Sequence, residues 1–154
     1  MAGSRRDSND SLDQRFLDLE EPVVASVRIT ASTPTVTIGQ PIVWTQVDID
    51  TANAYNSGTG KFTCPSDGIY EVGCASMYTS TGSVYWAVYK NTTKYAMIAG
   101  ATNQNAAPVT GGGTIRVSCV AGDQLFISPQ NQNANVNFLA NNYEASMHIR
   151  KVSN

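Results

Sequence analysis

The stretch Tyr55–Ala75, YNSGTGKFTCPSDGIYEVGCA, sets two glycine-bearing turns among short apolar runs. Gly60 and Gly68 permit the backbone angles of tight turns. Pro65 fixes φ where the second turn begins. Phe62 and Tyr70 are the apolar anchors of the two turns. Past Gly68, the run IYEVGCASMY puts Tyr70, Val72 and Cys74 on one side, as a half-buried strand requires. None of these residue types is a nucleophile or base in this setting. The stretch carries shape, a hairpin, and not chemistry.

The same period of two continues on both sides of it. VVASVRIT (23–30), PIVWTQVDI (41–49), SVYWAVYK (83–90), TIRVSCV (114–120), DQLFISP (123–129), NVNFLA (135–140) and EASMHIRKV (144–152) all read as strands. Clusters of Asn, Gly, Pro, Thr and Ser separate them at roughly the 8–12-residue spacing of a sandwich or barrel. Helical periodicity is missing from residue 22 onward. The expected class is all-β.

The 154 residues suffice for one domain with a sizeable core. Only 14% are charged, against about 25% in a typical globule, and Asn, Gln, Ser and Thr make up the difference. A formal net charge of −2 offers no basis for binding nucleic acid. No run approaches the ~18 apolar residues of a membrane helix. The basic pair Arg5–Arg6 is not followed by an apolar region, so the start does not read as a secretory signal. Cys64, Cys74 and Cys119 form no CxxC motif and read as buried free thiols, in keeping with a reducing cytoplasm.

Residues 1–21 hold nine of the 22 charged side chains, and Pro22 ends that segment. Two parts follow: an N-terminal docking arm, 1–21, and a head, 22–154. In the arm, Ser11 with Gln14 matches a capping box. Leu12, Phe16 and Leu19 make one apolar stripe on a short helix. A helix of about nine residues is unstable alone in water, so the stripe needs a surface to dock on. Extended, the arm would reach roughly 70 Å. Arg5, Arg6, Leu12, Phe16 and Leu19 are the expected anchoring residues.

Two strands are apolar on both faces. In SVYWAVYK, Val84, Trp86 and Val88 oppose Tyr85, Ala87 and Tyr89, and Leu125, Phe126 and Ile127 behave alike. A sheet over a single core has one wet face. Self-association through the second face is therefore expected, with Tyr85, Tyr89 and Phe126 as interface candidates; a loop folded over that face is the other possibility.

The central stretch resembles the signature of the C1q-like globular domains, relatives of tumour necrosis factor. The resemblance rests on Tyr55, Asn56, Gly60, Phe62, Pro65, Gly68 and Tyr70, and on the later Gly122–Asp123 step in AGDQLFIS. It covers roughly residues 23–152, and no Gly-X-Y collagen repeat accompanies it. The resemblance implies an antiparallel jelly-roll β-sandwich of about ten strands, assembled as a homotrimer around a threefold axis.

Signals for chemistry are few. His148 is the single histidine; it alternates with Glu144, Ser146 and Arg150 and reads as a surface residue. Asp48 and Asp50 lie two apart in VDID and are candidate calcium ligands, since some members of the resembled family hold calcium near the trimer axis; otherwise they are a solvated strand end. Asp67 and Asp123 are expected to bond their local turns. Gly111–Gly113 is not followed by the residues of a phosphate loop and reads as a flexible connection. Asn9 and Asn91 match a glycosylation pattern common by chance in Asn-rich chains. Residues 131–137 read as a polar loop. No enzyme and no cofactor are expected. The combination leads to the expectation of a structural virion protein: a trimeric decoration (cement) protein of a tailed bacteriophage, assembled in the host cytoplasm and held on the capsid surface by residues 1–21, with the major capsid protein or another virion protein as partner. The alternative is a receptor- or glycan-binding tip of a phage fibre or a bacterial surface adhesin.

Overall fold

The computed structural model describes residues 22–30, 36–79, 82–103, 109–131, 137–138 and 145–154. The expected arm helix, with Arg5, Arg6, Leu12, Phe16 and Leu19, lies outside these residues. Among the described residues the secondary structure is all strand: β1 (Val24–Arg28), β2 (Gln46–Asp50), β3 (Tyr55–Asn56), β4 (Lys61–Thr63), β5 (Gly68–Thr79), β6 (Gly82–Lys90), β7 (Thr93–Asn103), β8 (Val109–Cys119), β9 (Gln124–Asn131), β10 (Asn137–Phe138) and β11 (Ala145–Ser153).

They form two antiparallel sheets. One has the order β8-β5-β11-β1-β2, with β10 pairing the far end of the β5 edge that β11 also uses. The other has the order β3-β4-β9-β6-β7. From β4 on, the chain passes repeatedly from one sheet to the other, so most neighbours within a sheet are distant in sequence. Alternation then drives the inward side chains of both sheets into one core: Val27, Trp44, Phe62, Tyr70, Val72, Trp86, Leu125, Ile127, Met147 and Ile149 are all fully buried. Each large apolar side chain so buried contributes about 1.5–3 kcal/mol, against about 0–1 for an exposed ion pair. The core therefore carries the stability.

The structure departs from the sequence reading in four places. β7 was not expected at all. Ile98 and Tyr95 are extra residues opposite β6, where the register shifts between Trp86 and Ala87 and again between Val88 and Tyr89; two bulges erase the alternation that marks a strand. Residues 41–45 join no ladder, although Ile42 and Trp44 are buried. Pro41 has no N–H to donate, the Ile42 N–H goes to the Ile127 carbonyl at 3.0 Å, and Trp44 is held by a side chain described below.

Gly111–Gly113 is not a flexible connection but part of β8, paired with Ser76, Ala75 and Cys74 of β5. A Cβ on Gly113 would collide with the Ile98 carbonyl oxygen. The missing side chain is what lets β8 of one sheet lie against β7 of the other and close that side of the sandwich. Finally, Asp67 bonds a distant turn, accepting from the Ala121 N–H at 2.8 Å.

Candidate binding surfaces

The signature hairpin positions its neighbours through main-chain contacts. Asn56 Oδ1 accepts from the N–H groups of Gly58 (2.9 Å) and Thr59 (3.2 Å), which closes the turn from β3 to β4. Gly60 ends it with φ 72°, pressed so tightly on the Ile42 carbonyl that any side chain would collide. Tyr55 is buried, and its hydroxyl serves both main-chain groups of Trp44, accepting from the N–H at 2.9 Å and donating to the carbonyl at 3.0 Å. At Trp44 a phenol thus makes the pair of main-chain bonds that a strand partner makes in a ladder. Burial raises its pKa to about 12 despite the bond to Trp44. Phe62 and Tyr70 meet with ring centroids 6.0 Å apart, and the Tyr70 hydroxyl donates to the Ser66 carbonyl at 2.8 Å across the turn that contains Pro65.

At one end of the sandwich, Asp123 ties three turns together. Its carboxylate sits 2.8 Å from Lys90 Nζ and accepts from Asn91 Nδ2 (2.8 Å) and the Val120 N–H (2.9 Å). The Lys90 bond first, then those from Asn91 and Val120, pull its pKa down to about 2. Gly122 supplies the positive φ of 90° beside it. The Gly122–Asp123 step is a structural lock.

The outer face of the six-stranded sheet carries a row of paired charges. Along β5, Ile69, Glu71, Gly73 and Ala75 point away from the core. Register places Arg116 of β8 and Arg150 of β11 on either side of Glu71, and Thr114 and His148 on either side of Gly73. Arg150 Nη2 lies 2.7 Å and its Nε 2.8 Å from Glu71 Oε1; Arg116 Nε is 3.5 Å from Oε2. The hydrogen bond from Arg150, its charge, and the weaker contribution of Arg116 hold the Glu71 carboxyl below the usual range against the opposing effect of desolvation. Two guanidiniums on one carboxylate leave the row positive. The His148 ring fills the space over Gly73 that a side chain would occupy. The row thus presents an imidazole, a hydroxyl and paired charges on one exposed face, groups that suit a partner surface.

Asp48 and Asp50 do not share a site. Asp48 receives Arg28 Nε on both oxygens, at 2.9 and 2.8 Å. Asp50 caps the following loop by accepting from the N–H groups of Ala54 (3.0 Å) and Tyr55 (2.9 Å). A bulge in β2 opposite Ser26–Val27 turns the two carboxylates to different tasks. No group of three metal-ligating side chains occurs among the described residues.

On the outer face of the five-stranded sheet, Tyr89 and Phe126 stack at 4.9 Å, with Lys61 Nζ 5.6 Å from the Phe126 centroid and Gln130 Nε2 donating to the Tyr89 hydroxyl at 3.0 Å. The 38–40 turn comes up to that hydroxyl. Phe126 is thereby covered within the chain, which the alternating pattern could not distinguish from cover by a second copy. Tyr85 lies over Gly100 and stays 36% exposed; Tyr95 and Met97 on β7 are more exposed still. An open depression of about 620 Å³ beside Tyr55 and Asn56, walled by residues 52–57 with Thr63 and Pro65, went unseen in the sequence because loop residues from both sides of the hairpin build it.

The model of the C1q domain matches residues 24–147. The chain belongs to the C1q domain family. Its C1q domain superposes on the globular domain of zebrafish complement 1qA protein with a TM-score of 0.69 at 17% identity, covering 86% of this chain and 98% of that one. Eiger TNF from S. frugiperda gives 0.71 at 14%, covering 86% and 94%, and murine APRIL at pH 5.0 gives 0.67 at 12%, covering 86% and 100%. At such identities these likenesses show the shared jelly-roll fold. No curated protein sequence matches the chain.

Proposed function

We propose that the chain is a non-enzymatic structural protein, a homotrimer of C1q-like heads that residues 1–21 fasten to a larger particle, and that the particle is the capsid of a tailed bacteriophage, which it decorates as a cement protein. The observation that carries this is the division of the chain. A sparsely charged β head, with no metal cluster among its described residues, follows an arm that holds nine of the 22 charges and the stripe Leu12, Phe16, Leu19. Exposed apolar side chains on β2, β5, β7 and β11, namely Ile49, Ile69, Tyr95, Met97 and Val152, support self-association of the heads. Three arms per trimer would add their contacts, so that attachment exceeds the strength of any one arm.

Sedimentation and co-pelleting with purified capsids test it. The full chain is expected to sediment as a trimer and to pellet with capsids in many copies; removal of residues 1–21 should leave the trimer and abolish pelleting. A monomer at micromolar concentration, or attachment that survives the deletion, overturns it. Phe16→Asp in the full chain should weaken attachment while the head melts unchanged. A second reading, a receptor- or glycan-binding tip, is favoured by the exposed faces of Tyr85 and Tyr95, since aromatic faces present a flat apolar body to a ligand. A few copies per particle, with attachment to glycans through the head, would support it instead.

A further inference from the structure

The depression beside the signature hairpin has fixed walls. The Asp50 carboxylate accepts from the N–H groups of Ala54 and Tyr55, at 3.0 and 2.9 Å, and the Ala54 carbonyl accepts from the Thr63 N–H at 2.8 Å. Asn53 turns the chain with φ 50° and donates its N–H to the Asp50 carbonyl. The two bonds on Asn56 Oδ1 set the plane of that amide and leave Nδ2 as its donor. Asn53, Asn56, Ser57, Thr63 and Pro65 line the depression and are all exposed. Every lining residue is uncharged at neutral pH, the Tyr55 phenol included. The volume, about 620 Å³, falls in the range of ligand clefts, roughly 300–1,000 Å³.

We propose that this depression is a binding site for a neutral pyranose sugar. Amides and hydroxyls both donate and accept, so Asn53, Asn56, Ser57 and Thr63 can meet neighbouring hydroxyls of a ring whichever way their protons point. Ala52, Ala54 and Pro65 add short apolar surface for the ring's C–H groups. An acidic sugar or a phosphate would find no cation among the lining residues, and it would face the Asp50 carboxylate one hydrogen bond behind the wall. Burying an anion without a partner is costly. The walls are bonded before any ligand arrives, so little ordering opposes binding. The mouth is wide, and a single ring is held weakly, with a Kd on the order of a few mM. The inference rests on neither the arm nor the trimer, and it sets saccharide contact apart from the faces of Tyr85 and Tyr95.

The isotope-labelled full chain is titrated with the methyl glycosides of glucose, galactose, mannose and N-acetylglucosamine, each to about 50 mM, some tenfold above the expected Kd. Backbone N–H signals are followed by NMR. At least one glycoside is expected to shift the signals of residues 53–57 and Thr63 saturably, and methyl glucuronide, an acidic counterpart, to leave them in place. Asn56→Asp keeps the oxygen that closes the turn and loses the Nδ2 donor; Thr63→Val keeps the shape and loses the hydroxyl. Each should weaken binding at least about fivefold, the worth of one hydrogen bond, with the rest of the spectrum unchanged. No saturable shift with any of the neutral glycosides, shifts centred on β6 and β7 instead, equal binding of methyl glucuronide, or unchanged affinity in both variants overturns the proposal. The wild-type titration decides the matter even where a variant does not fold, and pelleting with capsids is read separately, so the two proposals fail independently.

Discussion

Replacing Tyr55 by Phe removes one oxygen atom and asks what it holds. The phenol is 7% exposed and forms two bonds to Trp44, a residue with no exposed surface. Residues 41–45 join no ladder, and the phenol engages both the Trp44 N–H and its carbonyl. Each buried main-chain group stripped of its partner costs about 1–3 kcal/mol, against about 1 kcal/mol for an average hydrogen bond. Allowing for some local relaxation, the loss should be about 2–4 kcal/mol, or about 5–15 °C in Tm for a domain of this size. Urea denaturation at pH 7 and matched protein concentration measures it, with an unchanged m-value as the sign that only stability moved. Tyr70→Phe is the control: it loses one bond, to a partly buried turn carbonyl, and should cost about 0.5–1.5 kcal/mol. The pH dependence adds a second check. The unfolded phenol ionises near 10.0 and the folded one near 12, so this contribution is whole below pH 10 and fades as pH rises toward 12. The Phe variant lacks that component. Equal losses for Tyr55→Phe and Tyr70→Phe would refute the role given to the Tyr55 hydroxyl.

The other predictions concern the edge, the end and the arm of the head. Gly113→Ala sets a methyl against the Ile98 carbonyl, a main-chain atom that cannot rotate aside, and should cost at least about 1–3 kcal/mol; an unchanged urea midpoint would mean that β7 and β8 do not touch there. Asp123 titrates near 2 when folded and at 3.8 otherwise, so its contribution is complete above pH 4 and disappears as pH falls from 3.8 through 2. Asp123→Asn should therefore be less stable than wild type at pH 6 and approach it at pH 2, measured by urea denaturation at each pH. Deleting residues 1–21 is expected to separate attachment from trimerisation, read by co-pelleting and sedimentation as above.

What the sequence determined by itself was whatever depends on a residue's immediate neighbours along the chain. Alternation in 69–78, 83–90 and 145–152 marked strands, and in the first and last of these it named the buried face, down to Tyr70, Val72 and Cys74, because a strand's two sides are set by the pleat alone. The glycines and proline of 55–70 announced turns because few residues tolerate those angles. Tertiary structure decided everything that arises between segments far apart. The bulges of β7 exist only opposite β6, and they hid the strand. Gly113 is required by a carbonyl of another sheet, so it looked like loop. Glu71 acquires two arginines only once strands far apart in the sequence lie in register. Apolar pattern tells that a face is dry, not whose atoms keep it dry: Phe126 proved to be covered from within, while Tyr85 was left open. Local geometry is written in the order of residues; partners are chosen by the packing of the whole chain.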